Sequence, residues 1–269
     1  VRKLRRRRTF FYELTFPLPR AAPYRIRDDG AILGNYTDTT THGFLYQGGQ
    51  ITSIDCPGSI STFAYGINKT GAIVGACTDS NTGVEHGFLF RNNTYTPIDP
   101  TPAATVGVWD VNESLEFAGQ AETPSGSIAF AIRYPTFATI PAPGGAVATG
   151  INTIGEIVGV DGLNSIGPDG SLQGFLYAGK KLYPISFPGA AWTEPQGIND
   201  RGHIAGYMID APAATGATHG FVLESGQYLK IDYPGASDTL VRGINNEDQL
   251  VGQYYVGNSW HSFFATPAR

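Results

Sequence analysis

The chain has 269 residues, with 35 Gly, 18 Pro, 12% aromatic residues and a formal net charge of −5. Its length permits a large core, and the acidic body and absence of a long apolar run argue against a nucleic-acid groove and a membrane-spanning helix. In a chain without periodicity this much Gly and Pro would read as disorder, but here both punctuate a repeat.

Residues 1–8, VRKLRRRR, hold six of the cations. The run Arg5, Arg6, Arg7, Arg8 is either a solvated tail or a contact for an acidic surface or anionic lipid. No apolar segment follows it, so it is not a signal peptide as it stands, and the start at Val1 reads as a mature or trimmed form. The repeat then begins. Its first anchors are spaced by eight: Ile26 and Gly34, Ile67 and Gly75, Val111 and Gly119, Ile151 and Gly159, Ile198 and Gly206, Ile244 and Gly252. Its second anchors are spaced by ten: Phe44 and Ile54, Phe88 and Ile98, Phe130 and Ile140, Phe175 and Ile185, Phe221 and Ile231. The sixth unit has Phe263 and then ends, and its missing piece resembles Phe11–Pro17 at the other end of the chain.

A period of roughly 40–47 residues matches a four-stranded propeller blade. A solenoid would need polar caps at both ends, and this chain has ordinary repeat pieces there. The expectation is an all-β, six-bladed β-propeller over residues 9–269, with Thr9–Pro17 completing the last blade, preceded by the basic tail 1–8. In the second unit the strands are expected at 63–68, 72–76, 86–90 and 94–98, joined by a tight Asn-x-x-Gly turn and a fixed third turn. Length varies in the loop between the second and third strands, so the variable loops share one face.

The motifs G-I-N (Gly66-Ile67-Asn68, Gly197-Ile198-Asn199, Gly243-Ile244-Asn245), H-G-F (His42-Gly43-Phe44, His86-Gly87-Phe88, His219-Gly220-Phe221) and Ile231-Asp232-Tyr233-Pro234-Gly235-Ala236 resemble the bacterial extracellular repeat proteins of the HAF family. That resemblance implies a secreted prokaryotic propeller, extracellular or at the cell surface, and no defined activity. The third unit departs from it, with Asp110-Val111-Asn112 in place of GIN and Ile128-Ala129-Phe130 in place of HGF.

Four histidines (42, 86, 219 and 261) recur at one blade position, which points to a structural role. The strand-end Asp55, Asp99 and Asp232 read as turn caps. Carboxylates gather in the variable loops at Asp38, Asp79, Glu85, Glu122, Asp161, Asp169 and Asp210, with no calcium-loop spacing. The candidate ligand-binding residues on that face are Tyr36, Asp38, Asp79, Asp161, Trp192, Tyr207, Tyr254 and Trp260. Cys56 and Cys77 lie at matching edges of neighbouring repeats, so a disulfide joining two blades is a reasonable pairing. No phosphate loop, dinucleotide fingerprint, nucleophile elbow or metal spacing is present, and no cofactor or catalytic residue is implied.

The expected function is a secreted non-catalytic protein acting through its surfaces in adhesion, matrix or filament assembly. Arg5–Arg8 with Phe10, Tyr12, Leu14 and Phe16 would form the assembly element, either by donating the strand to the next molecule or by closing the ring in its own. A carbohydrate-binding propeller and a polysaccharide hydrolase or lyase on the loop face are the alternatives. The expected partners are other copies of the chain or glycans.

Overall fold

The computed structural model describes residues 9–99, 105–133, 136–142, 145–162 and 172–267. They form six four-stranded antiparallel sheets and no helix. Blade 1 contains β2 (Ala22–Ile26), β3 (Ile32–Thr37), β4 (Thr41–Gln47) and β5 (Gln50–Ile54). Blade 2 contains β6 (Ser59–Ile67), β7 (Ile73–Asp79), β8 (Glu85–Arg91) and β9 (Thr94–Ile98). Blade 3 contains β10 (Thr105–Val111), β11 (Glu116–Thr123), β12 (Gly126–Arg133) and β13 (Thr136–Thr139). Blade 4 contains β14 (Ala146–Ile151), β15 (Ile157–Asp161), β16 (Gln173–Ala178) and β17 (Lys181–Ile185). Blade 5 contains β18 (Ala190–Ile198), β19 (Ile204–Asp210), β20 (Thr218–Glu224) and β21 (Gln227–Ile231). Blade 6 contains β22 (Asp238–Ile244), β23 (Leu250–Val256), β24 (Ser259–Pro267) and β1 (Thr9–Leu14). The first strand of each blade touches the first strands of both neighbouring blades, so six inner strands surround a central channel.

The spacing of eight has a steric cause. In every blade the inner strand bulges just before the G-I-N segment. The register jumps from Pro23 to Arg25, Ala64 to Gly66, Val108 to Asp110, Ala148 to Gly150, Pro195 to Gly197 and Val241 to Gly243. The bulge presses a carbonyl onto the second strand. A Cβ on Gly75 would sit 1.9 Å from the Phe63 carbonyl oxygen, and one on Gly252 would sit 2.0 Å from that of Leu240. The other side of that glycine is covered by the third-strand Phe, 2.8 Å from the same Cβ at Phe88 and 2.9 Å at Phe263. Phe44, Phe130, Phe221 and Phe263 are fully buried as a result. The Ile-to-Gly and Phe-to-Ile intervals thus mark one packing unit per blade.

The Asn of G-I-N acts twice. Its Oδ1 caps its own turn, as Asn68 does for the amides of Thr70 (3.1 Å) and Ala72 (2.9 Å). Its Nδ2 donates to the next blade: Asn68 to the Asn112 carbonyl, Asn112 to Asn152, Asn152 to Asn199, Asn199 to Asn245, and Asn245 to Arg27. A girdle of amides therefore ties the blades together on the tight-turn face. The recurring histidines pair with the recurring acids, with His42–Asp55 at 2.8 Å, His86–Asp99 at 3.1 Å and His219–Asp232 at 2.8 Å. This corrects the reading of those aspartates as turn caps: they join the third strand to the chain leaving the fourth. In blade 6 the acid comes from β1, with Glu13 3.5 Å from His261.

β1 completes its own molecule. It pairs with β24 from Thr9↔Pro267 to Leu14↔Ser262. Phe11 packs edge-on against Phe263, and Phe16 lies 4.9 Å from Phe44 between blades 6 and 1. Phe16 is only 9% exposed and Leu14 packs against the same cluster, so neither is an assembly contact. Phe10 and Tyr12 do face outward, at 51% and 54% exposure. Arg5, Arg6, Arg7 and Arg8 lie outside the described residues, as does Asp169.

Cys56 and Cys77 are bonded, with Cα atoms 6.2 Å apart, and join blade 1 to blade 2. The same seam is filled elsewhere by other chemistry. Tyr233 stacks on Tyr254 at 3.6 Å between blades 5 and 6, and Phe187 and Met208 share the cluster between blades 4 and 5. Closing a 21-residue separation is worth about 3 kcal/mol. Reduction, or the C56S/C77S pair, is expected to lower the melting temperature by roughly 6–12 °C without loss of fold, read by circular dichroism. An unchanged melt would show that the bridge adds nothing to the packing.

Candidate functional site

The bulges do more than set the repeat. Each leaves one inner-strand residue unpaired at the channel: Tyr24, Tyr65, Trp109, Thr149, Gln196 and Arg242. All six occupy the same structural position, immediately before the G-I-N Gly, and they differ in chemistry where neighbouring positions repeat. Bulges concentrate where a fold aims side chains at a site.

Beneath this ring the channel is closed. Arg25 and Asp110 replace two of the G-I-N glycines, and both are 7% exposed. The Arg25 guanidinium donates to the carbonyls of Tyr24 (3.0 Å), Arg242 (3.0 Å) and, across the channel, Thr149 (2.5 Å). Its Nε faces Asp110 Oδ1 at 3.7 Å. Asp110 accepts from the amides of Val111 and Ile151. Burial pushes the Asp110 carboxyl upward, opposed by Arg25 and those amides. Glycines elsewhere in the ring make room, since a Cβ on Gly66 would lie 2.6 Å from Asp110 Cα. The departure of blade 3 from the repeat is thus half of a plug, and the channel is a blind cup.

Below the plug lies a small polar recess on the tight-turn face. Lys69 spans it to Asp200 (2.8 Å) and Asp28 (4.0 Å), and Asn246 bridges the same two carboxylates. Burial pushes Asp200 upward, but hydrogen bonds from Lys69 and Thr153 outweigh it and hold the carboxyl down to about 2. These groups satisfy one another and act as a latch between opposite blades.

The cup on the loop face differs. One side is aromatic, with Tyr24 5.9 Å from Tyr65 and Tyr65 stacked on Trp109 at 4.3 Å and 13°. A recess of about 180 Å³ opens beside that wall between blades 2 and 3, and both Glu85 and Glu122 line it. Gln120 donates to Glu122 (2.7 Å) and reaches the Ser127 hydroxyl (2.6 Å). Desolvation alone pushes the Glu85 carboxyl up, and burial with the nearby Glu85 charge raises the Tyr65 phenol. The other side is polar. Trp192 Nε1 and Gln196 Nε2 donate to the two oxygens of Glu194, at 3.1 and 2.9 Å. Tyr207 bonds the same carboxylate, and its phenol is raised first by burial and then by Glu194. Arg242 lies over the rings of Tyr24 and Tyr207, 5.5 Å from each centre.

Of the residues expected on the loop face, Trp192 and Tyr207 reach this cup. Tyr254 does not: it is 4% exposed, buried against Tyr233 in the seam. Asp38 and Asp79 fold their own loops, accepting from the amides of Thr39 and Thr40 and of Asn81 and Thr82, and those amides lower both carboxyls. Tyr36 stacks on His42, and Trp260 lies 47% exposed at the start of β24, paired with Tyr255. Asp161 ends β15 at the rim of blade 4. Among the described residues no three His, Cys, Asp or Glu converge as a metal-holding group, and no helix is long and apolar enough to cross a membrane. The sequence reading missed Tyr24, Tyr65, Trp109, Gln196 and Arg242. The available signal was chemical variation at one fixed position in an otherwise constant motif.

No family model and no curated protein matches the chain. Solved structures do. A streptogramin B lyase aligns over 96% of this chain and 98% of its own, with TM-score 0.55 and 11% identity. A gluconolactonase from Xanthomonas campestris aligns over 93% and 87%, with TM-score 0.57 and 8% identity. The β-propeller domain of the Trilobed protease from Pyrococcus furiosus aligns over 91% and 95%, with TM-score 0.53 and 9% identity. At these identities the likeness shows the propeller fold. The expectation of a non-catalytic adhesion, matrix or filament subunit is corrected here. The fold at this size is that of proteins described as a lyase and a lactonase, and of the two placements expected for the closing strand it takes the one within its own molecule. A glycan site repeated blade by blade is not supported either, because the six channel positions do not repeat one chemistry: three are aromatic and the others are Thr149, Gln196 and Arg242.

Proposed function

We propose that the protein is an acid–base hydrolase that opens a small cyclic ester in the cup on its loop face. The observation that carries this reading is the recess holding Glu85 and Glu122 against the Tyr65–Trp109 wall, with burial favouring the protonated form of Glu85. Paired carboxyls in unlike environments divide into an acid and a base. Glu122 takes a proton from water as its oxygen bonds to the ester carbonyl carbon. The ring C–O bond then breaks, and Glu85 gives its proton to the departing alkoxide. The sealed floor limits water around the substrate, which strengthens both interactions. The gluconolactonase description of a similarly folded protein supports this reaction class. An extracellular or cell-surface location and HAF-type repeats belong to the same reading, and the Cys56–Cys77 bridge supports an oxidising compartment.

The test is a pH-stat screen against five- and six-membered lactones. Turnover is expected for the wild type, with E85Q and E122Q each lowering kcat/KM by about 10²–10⁴. The E85Q loss should be greatest on the acidic side, where wild-type Glu85 carries its proton, and should shrink as pH rises through the raised Glu85 value. A wild type inert to every lactone, or an E85Q variant of full activity, would remove the proposal.

A further inference from the structure

Among the described residues Arg242 is the one cation in the cup above the Arg25 plug, and none of them neutralises its charge. The guanidinium has five N–H donors. One nitrogen reaches Gln196 Oε1 at 3.3 Å. Its Nε is shut from solvent and has no hydrogen-bond partner. Among the described residues no carboxylate lies within ion-pair distance of it. The nearest candidate on the polar side, Glu194, is kept apart by an amide. Gln196 donates to Glu194 through Nε2 and accepts from Arg242 through Oε1, so it spaces the two charges instead of letting them pair. The rings of Tyr24 and Tyr207 fix the guanidinium plane and supply favourable quadrupole contact. The backbone of Arg242 is itself pinned, because Arg25 donates to its carbonyl. In a chain of net charge −5, a rigid, partly buried arginine that no described residue neutralises is a selective point for an anion.

We infer that Arg242 forms a carboxylate subsite, and that the ligand is a ring-bearing molecule with a free carboxylate. The carboxylate takes the planar fork of Arg242, and the ring lies on the adjoining Tyr24–Tyr65–Trp109 wall. This deepens the preceding reading by naming the substrate's charged group. The binding claim does not require that the Glu85–Glu122 pair perform chemistry.

The test uses benzoate and its neutral isostere benzamide as probes of the full chain, followed by calorimetry and by tryptophan fluorescence, since Trp109 lines the wall. Benzoate is expected to bind saturably, at least tenfold more tightly than benzamide, with affinity falling as salt rises. R242Q is expected to lose at least tenfold in benzoate affinity and leave benzamide unchanged. E85Q is expected to keep benzoate binding even where it abolishes lactone turnover, which separates failure of this subsite from failure of the catalytic reading. Equal binding of benzoate and benzamide to the wild type, no benzoate binding at all, or undiminished benzoate binding by R242Q would each overturn the inference. The wild-type comparison of the two probes decides the matter even if R242Q fails to fold.

Discussion

A chain lacking residues 1–16 is expected not to fold into a stable propeller, whereas a chain beginning at Thr9 serves as its folded reference. The truncation removes the whole of β1 and with it the ladder from Thr9↔Pro267 to Leu14↔Ser262. It also removes Phe16, whose burial against Phe44 is worth about 3–5 kcal/mol by comparison with other large-to-small aromatic changes. Phe11 leaves the side of Phe263 at the same time, and Glu13 leaves His261. These losses together approach the roughly 5–15 kcal/mol that holds a typical domain folded. The exposed β24 would present a full edge of unpaired amides and carbonyls, which invites aggregation. Circular dichroism and size-exclusion chromatography read the outcome. Adding a synthetic peptide of residues 9–17 should restore a cooperative melt, because the strand would occupy its vacant place. A truncated chain that melts as cooperatively as its reference would show that the ring closes without β1.

The fold was legible because each recurring residue answers a local steric demand. Gly75 must be glycine because the Phe63 carbonyl lies under it and Phe88 lies over it; a carbonyl crowds the equivalent glycine in all six blades, and the third-strand Phe does so in five. The closing strand was legible for the same reason: Phe16 occupies the seam place that Tyr233 and Phe187 occupy in other blades. Applied further, that equivalence places Tyr254 opposite Tyr233, as Cys77 is opposite Cys56, and would have buried it. Treating Tyr254 as a loop residue overlooked the alignment. The cup was harder to read. A bulge adds one residue to one strand without altering the interval from Ile to Gly, so no spacing reveals it. Its products are visible only as disagreement among the repeats, at Tyr24, Tyr65, Trp109, Thr149, Gln196 and Arg242. Glu194 and Glu85 come to the cup from different strands of different blades, and no one-dimensional pattern joins them.

The same disagreement among repeats produced Arg25 and Asp110, and R25M is expected to destabilise the protein by about 3–5 kcal/mol at neutral pH. Methionine restores much of the volume but none of the donors. The carbonyls of Tyr24, Arg242 and Thr149 lose a partner inside the ring, and Asp110 loses the cation that faces it in a site closed to water. The pH dependence follows from Asp110. Burial already pushes its carboxyl upward, and removing Arg25 takes away the group that opposes this most. In R25M the folded state therefore holds a proton that the unfolded state releases near its ordinary value of 3.8. Stability contributed by a raised carboxyl is present below that unfolded value and lost as pH rises through the folded one. The deficit of R25M against wild type should thus be larger at pH 7 than at pH 4. D110N in the R25M background should recover part of it at pH 7, since asparagine carries no charge and its Oδ1 still accepts from one of the two amides that Asp110 Oδ1 and Oδ2 take separately, those of Val111 and Ile151. Urea denaturation of the four chains at both pH values measures the coupling directly. A deficit independent of pH, together with purely additive single changes, would mean that Asp110 is neutral in the wild type and that Arg25 holds the cup floor through its three carbonyl contacts alone.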